Sequence, residues 1–315
     1  MSSPRGRSWR GIGLLLLVGC GREPAPLVVP DEPLAAPAAE PAPSAPTSAS
    51  SGAVVVTIDD LGTLDIGREP HEVSEGLAEL WCRRGGSTFR PPSREPDDQW
   101  PPRLDSCDDA VGRVSLRREG GGIVATTLEL DSGSYAIEEQ VLLLLQSPAH
   151  AGLFTLEHSY EMEEVDPMRF EIVAMELRDV MGTAEPELIV DMQWTGGDSF
   201  EADHCYAHEH DTGTLVVCTE AADGFRCLAV AYRDLVRNAP RTGALDDCGM
   251  SEEELGDGGL EGHSQQVELR DGAMILGPSD EPIDEPRGPR YSGEVSLETL
   301  LDEAMLEPLA SGPRS

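Results

Sequence analysis

Lysine is missing from this chain: all 23 of its basic residues are arginines. Without lysine, the protein has no amine for a Schiff base, no Walker-type phosphate loop and no S-x-x-K acylation site. Acidic residues number 59, so the net charge is −36. A field of that sign repels nucleic acids and anionic lipid surfaces. We therefore exclude nucleic acid as a partner.

The sequence signatures of several enzyme classes are also absent. The chain has no G-x-S-x-G segment, no H-E-x-x-H segment and no C-x-x-C pair. Its one asparagine, Asn238, would have to serve any Cys–His–Asn arrangement. The acidic residues leave paired-carboxylate chemistry open, although runs of acidic residues are typical of a solvated surface. These observations favour a noncatalytic protein that needs no cofactor.

The first nineteen residues have the pattern of an export signal. Three arginines precede an apolar run at residues 12–18, which is far shorter than the roughly 20 residues that span a bilayer. Residues 17–20 read L-V-G-C, which resembles the bacterial lipobox. This resemblance implies removal of residues 1–19 and attachment of two acyl chains to Cys20.

The lipobox resemblance also implies a location. Two acyl chains hold a protein to a membrane more firmly than one chain, which binds reversibly. Gly21 stands where an aspartate would retain such a protein at the inner membrane. The chain thus resembles outer-membrane lipoproteins of Gram-negative bacteria, either periplasmic or surface-exposed, with the membrane and an envelope protein as partners. Residues 20–52, rich in Pro, Ala and Ser, predict a disordered stalk after the lipidated cysteine.

Six cysteines remain after Cys20, an even number that predicts disulfides in an exported protein. They are Cys82, Cys107, Cys205, Cys218, Cys227 and Cys248. A turn at residues 221–224 sets Cys218 opposite Cys227 on paired strands, where Cβ atoms are about 4.5–5.5 Å apart, just above the range that a disulfide uses. We predict that these two cysteines are bonded. Cys82 with Cys107 is the next choice, which leaves Cys205 with Cys248.

The remaining pattern predicts a mainly β domain over residues 53–307. The predicted strands are 53–58, 111–119, 122–130, 135–146, 152–160, 168–177, 187–194, 213–220 and 225–232, followed by a hairpin at 267–276. Apolar residues at helical spacing predict one helix around Val73–Trp81 and another over Leu297–Met305. We expect an acidic loop at 238–263, a Pro-rich loop at 277–293 and a disordered tail at 308–315. The fold class is therefore an antiparallel sandwich or irregular barrel with two peripheral helices.

Residues 175–192 resemble the D-x-N-G-D-G-x-P-D-L-V unit of FG-GAP and similar propeller repeats. The matching positions are Asp179, Gly182, Pro186, Glu187 and Leu188. In that family, the loop between the two strands binds calcium through acidic and asparagine side chains. Here Met181 and Thr183 occupy ligand positions, and too few oxygens remain for a calcium ion. We expect a strand–loop–strand that needs no ion, and a single copy does not predict a propeller.

Residues 203–211 read D-H-C-Y-A-H-E-H-D and hold the densest group of metal-ligand types. On a strand, His208 and His210 would share a face, whereas His204 and Cys205 could not both join them. We interpret the segment as a polar loop with Cys205 in a disulfide. The predicted function is a membrane-anchored envelope lipoprotein with a noncatalytic structural or binding role. The alternative is an extracytoplasmic metal-binding protein or metallohydrolase that uses His204, His208 and His210.

Overall fold

A computed structural model describes residues 53–58, 61–86, 89, 110–131, 137–161, 166–198, 206–240, 259–278 and 282–314. The signal segment, Cys20 and the stalk lie outside the described residues. So do Cys107, Cys205, Cys248 and His204. The predictions that concern these residues therefore stay predictions.

The described residues form two helices and a series of strands. The helices are α1 (Pro70–Arg83) and α2 (Leu297–Glu303). The strands before residue 200 are β1 (Val55–Ile58), β2 (Gly62–Asp65), β3 (Val111–Gly120), β4 (Ile123–Asp131), β5 (Ile137–Gln146), β6 (His150–Glu161), β7 (Asp166–Arg178) and β8 (Glu187–Asp198). Those after it are β9 (Tyr206–Ala221), β10 (Gly224–Pro240), β11 (Gly259–Arg270), β12 (Ala273–Pro278), β13 (Glu285–Pro286), β14 (Gly293–Ser296), β15 (Met305–Leu306) and β16 (Pro308–Pro313).

Two large sheets account for most of these strands. One has five strands in the order β16-β6-β5-β4-β3, and the other has nine, with β14-β12-β11-β10-β9-β8-β7 as its main path. In neither sheet do the first and last described strands pair with each other, so both sheets are open. Of the two architectures expected, the antiparallel sandwich is therefore the one that forms.

The central strand β5 of the five-stranded sheet is buried on both faces, which explains its run of four leucines. Leu142 and Leu144 pack with α1, β1 and β2 in one apolar cluster. Leu143 and Leu145 pack against the nine-stranded sheet in a second cluster. Side chains alternate between the faces of a strand, so a strand covered on both sides needs apolar residues at every position. The choice of strand over helix for this run is confirmed.

The nine-stranded sheet bends back on itself at β11. Residues 259–264 of this strand pair with β10, whereas residues 265–270 pair with β12. Gly262 lies at the bend with φ of 117°, and a Cβ atom there would stand 2.0 Å from the carbonyl oxygen of Asp234. Only glycine permits this backbone approach. The bend brings β12 and α2 onto the outer face of the sheet, where a third apolar cluster forms.

The two predicted helices form, although α2 is shorter than expected. In α1 one face is buried by Val73, Leu77, Leu80 and Trp81, as their spacing predicts. The chain leaves α2 after Glu303 because Met305 and Leu306 pair with β10 as a short strand. No described helix is both long enough and apolar enough to cross a bilayer.

Three predicted irregular segments contain strands. The expected acidic loop at 238–263 is wrong at both ends, because β10 continues to Pro240 and β11 begins at Gly259. The Pro-rich loop at 277–293 is interrupted by β13 and ends in β14. The predicted disordered tail is wrong for Pro308–Pro313, which pairs with β6 at the edge of the five-stranded sheet. Backbone pairing outweighs local composition in each case.

Candidate functional site

The histidine segment is mostly strand, which corrects the interpretation as a loop. Residues 206–211 belong to β9 and pair with β10, and residues 208–211 also pair with β8 on the other side. His208 lies opposite Asn238 and Asp198, and His210 lies opposite Val236 and Gly196. Pairing with neighbouring strands satisfies the backbone N–H and C=O groups of this polar segment and holds it extended.

The imidazole of His210 already has protein partners. Its Nε2 lies 2.8 Å from Oδ1 of Asp234. Its ring meets that of Trp194 edge to face, with 5.4 Å between the ring centroids. Among the residues that the structure describes, no three His, Cys, Asp or Glu side chains are grouped to hold a metal ion. The structure thus gives His210 a hydrogen-bonding role beside an aromatic ring.

The surroundings of His210 lead to an expectation for zinc. We expect excess zinc near neutral pH to change the melting temperature of the protein little, because the described residues hold no group of three His, Cys, Asp or Glu side chains that could bind the ion. Ligand binding raises the melting temperature only when it favours the folded state. Thermal melts with and without zinc measure the effect. A large zinc-dependent rise that His208→Ala with His210→Ala abolishes would contradict this expectation and favour the metal alternative.

The loop between β7 and β8 is held by two carboxylates that accept backbone N–H groups. Asp179 accepts from Gly182 at 2.6 Å, Thr183 at 3.2 Å and Ala184 at 3.1 Å. Glu187, which is only 2% exposed, accepts from Val180 at 2.8 Å and Met181 at 3.2 Å. The segment is a strand–loop–strand whose carboxylates are occupied by the loop itself.

One disulfide joins two neighbouring strands of the nine-stranded sheet, on the face that packs against the five-stranded sheet. Cys218 of β9 and Cys227 of β10 are directly paired in register, and their side chains are joined. Both side chains are buried, and both belong to the apolar cluster that joins the sheets. Cys82 is also disulfide-bonded, and Cys107 lies outside the described residues. Pairing of Cys82 with Cys107 therefore stays a prediction.

A cavity of about 260 Å³ lies on the outer face of the nine-stranded sheet. We call it the outer cavity, and its lining residues are Ala174, Glu176, Arg178, Ile189, Asp191, Leu215, Tyr232, Val267 and Leu269. The strands β7 to β10 supply the first seven, and the second half of β11 supplies the last two. The turn of the β11–β12 hairpin is fastened nearby, since the N–H of Gly272 donates to the carbonyl of Val180 at 2.7 Å.

A tyrosine–aspartate pair forms the polar part of the outer cavity. The hydroxyl of Tyr232 donates to Oδ1 of Asp191 at 2.8 Å. Burial and this hydrogen bond raise the pKa of Tyr232 to about 12, although a hydrogen bond with Gln193 acts in the opposite direction. The phenol is therefore protonated at physiological pH and acts as a donor. Tyr232 sits at an irregularity of β10, and its ring lies against the backbone at Gly213, where an added Cβ would be 2.6 Å from the ring.

An ion pair lies at the rim of the same cavity. The Nε atom of Arg178 is 3.5 Å from Oε1 of Glu176, and both side chains are about half exposed. These two residues are two positions apart on β7, so they share a face of that strand. Their charges offset each other, which leaves Asp191 as the unbalanced charge in the lining.

Sequence reasoning missed the outer cavity, because its lining comes from five strands. The alternation of Ile189 and Asp191 in β8 shows that an acidic residue shares a face with an apolar one. That signal predicts a polar position on a buried face, but not what lies opposite it. The wall formed by Val267 and Leu269 depends on the bend in β11, which no local pattern reveals.

The comparisons with known proteins show no relative. No family model matches the chain, and no curated protein or solved structure matches it.

Proposed function

We propose that this protein is an exported, lipid-anchored protein of the outer membrane whose β domain has a noncatalytic binding role. Cys20 is the lipidated residue, and residues 21–52 form a stalk between the anchor and the domain. The observation that carries the binding role is the outer cavity, a concave site that combines apolar walls with one polar pair, as ligand sites in proteins do.

The cysteine chemistry supports export. The disulfide between Cys218 and Cys227 is buried between the two large sheets. Stable structural disulfides are typical of proteins that fold outside the reducing cytosol. This agrees with the export signal that residues 1–19 predict. Structural and binding roles in the envelope are both compatible with this location, and the cavity favours binding.

The anchor is tested by replacing its acylated residue. We expect Cys20→Ser to move the protein from the membrane fraction to the soluble periplasmic fraction, or to leave it with an uncut signal, because serine has no thiol to acylate. Fractionation with mass spectrometry of the N-terminal peptide measures both outcomes. Mature Cys20→Ser protein that still requires detergent would contradict the anchor.

The matched control changes sorting rather than acylation. We expect Gly21→Asp to keep the lipid on Cys20 and to shift the protein towards the inner membrane, as the lipobox resemblance implies. Acylation is read by mass spectrometry and location by density separation of the two membranes. Acylated Gly21→Asp protein found only in the outer membrane would contradict the proposed sorting.

A further inference from the structure

The outer cavity carries a charge that the protein leaves unbalanced. Asp191 accepts one hydrogen bond, from Tyr232, whereas an ionised carboxylate has about four acceptor positions. No described cation forms an ion pair with it, and the cation among the lining residues, Arg178, is paired with Glu176. The neutral phenol orients the carboxylate without cancelling its charge. Asp191 therefore has acceptor capacity for a cationic donor.

The apolar part of the cavity is formed by side chains on opposite sides. Ile189 and Leu215 lie in the sheet and are buried, with 5% and 7% of their surface exposed. Val267 and Leu269 lie in the second half of β11 and pack on the same apolar cluster. Ligand sites of ordinary size span roughly 300–1,000 Å³. At about 260 Å³, this cavity suits a molecule with only a few carbon atoms.

We propose that the outer cavity binds a small amphipathic cation, an amine on a short apolar body, with Asp191 as the acceptor for the ammonium group. The apolar body lies between Leu215 and Val267, and the ammonium N–H groups donate to Asp191. The inference rests on the binding role proposed above, and it does not depend on the lipid anchor. The strongly negative chain adds a general attraction for cations at low ionic strength.

The test compares three probes that share an alkyl chain and differ in the head group. The full chain with Cys20→Ser, which carries no acyl group, is titrated with n-hexylamine, n-hexanol and hexanoate, and methyl shifts are followed by NMR. We expect saturable shifts at Ile189, Leu215, Val267 and Leu269. Affinity should fall from the amine to the alcohol to the acid, because only the amine is cationic at neutral pH.

Two variants test separately the contribution of the Asp191 charge and that of the cavity shape. Asp191→Asn keeps the size of the side chain, and we expect it to weaken hexylamine binding by about tenfold, the scale of one hydrogen bond to a charged group. Ala174 is exposed and pairs with Asp191, so Ala174→Phe should fill the mouth and abolish binding of all three probes. The control is Glu75→Gln, an exposed carboxylate of α1, which should leave each affinity unchanged.

Each result has a definite meaning. Hexanol or hexanoate binding as tightly as hexylamine, or an amine affinity that Asp191→Asn does not change, would overturn the cationic ligand class and leave the binding role standing. If none of the probes shifts the lining methyl groups of the folded protein, both this inference and the binding role are wrong. Fractionation of Cys20→Ser tests the anchor separately from these outcomes.

Discussion

Replacing Glu187 by leucine is expected to lower the free energy of unfolding by about 3 kcal/mol, since hydrogen bonds to charged groups contribute roughly 1.5–3 kcal/mol each. The carboxylate of Glu187 accepts the N–H groups of Val180 and Met181, and it is 2% exposed. Leucine would leave both donors without their acceptor, and the one at Val180 is buried. Urea unfolding measures the loss.

Two variants in the same segment provide controls. Glu187→Gln retains an acceptor oxygen of the same reach, so we expect a smaller loss than with leucine. Glu185→Ala removes an exposed carboxylate from the same loop and should change stability by less than about 0.5 kcal/mol. Equal stability of the leucine variant and the wild-type protein would contradict the role assigned to Glu187.

Truncating β5 on either of its faces is expected to destabilise the protein strongly. Leu143→Ala and Leu144→Ala should each lower the free energy of unfolding by about 3 kcal/mol, within the 2–5 kcal/mol range for leucine truncations in protein cores. The two residues point to opposite faces, and each is fully buried in a different apolar cluster. Urea unfolding of the single variants measures both losses.

A position at the edge of the same sheet serves as the control. Val114 in β3 is 37% exposed, so Val114→Ala should cost less than about 1 kcal/mol, mostly through lost strand propensity. A small effect of Leu143→Ala beside a large effect of Leu144→Ala would mean that the nine-stranded sheet does not cover that face of β5. Equal large effects support burial on both sides.

The fold class was predictable where apolar periodicity and turns are local signals. The hairpin between β9 and β10 follows from one short turn, and its register pairs Cys218 with Cys227. The first part of β9 was not predictable, because residues 208–211 are polar and form a strand by pairing with β8 and β10. The same holds for β16, whose partner β6 lies far away in sequence.

The candidate site was less predictable than the fold. Histidines at 204–210 drew attention because their residue type suggests a metal, yet His210 is engaged by Asp234 and Trp194. The sequence did not indicate the outer cavity, because neither Asp191 nor Tyr232 stands out in it. They meet because β10 is irregular beside Tyr232, and Gly213 leaves room for its ring. Contacts of this kind depend on tertiary packing, which the apolar periodicity of the sequence does not encode.

The order of strands also has a consequence for how the molecule assembles. From β3 to β6, and again from β7 to β12, each strand pairs with its neighbour in sequence, so most ladders close short loops at low entropic cost. The strands β15 and β16 are exceptions, because they must reach β10 and β6 from the far end of the described chain. Until β16 docks, residues 150–154 present an open row of backbone donors and acceptors, which is the kind of edge that captures foreign strands. Docking of β16 covers this row of backbone groups.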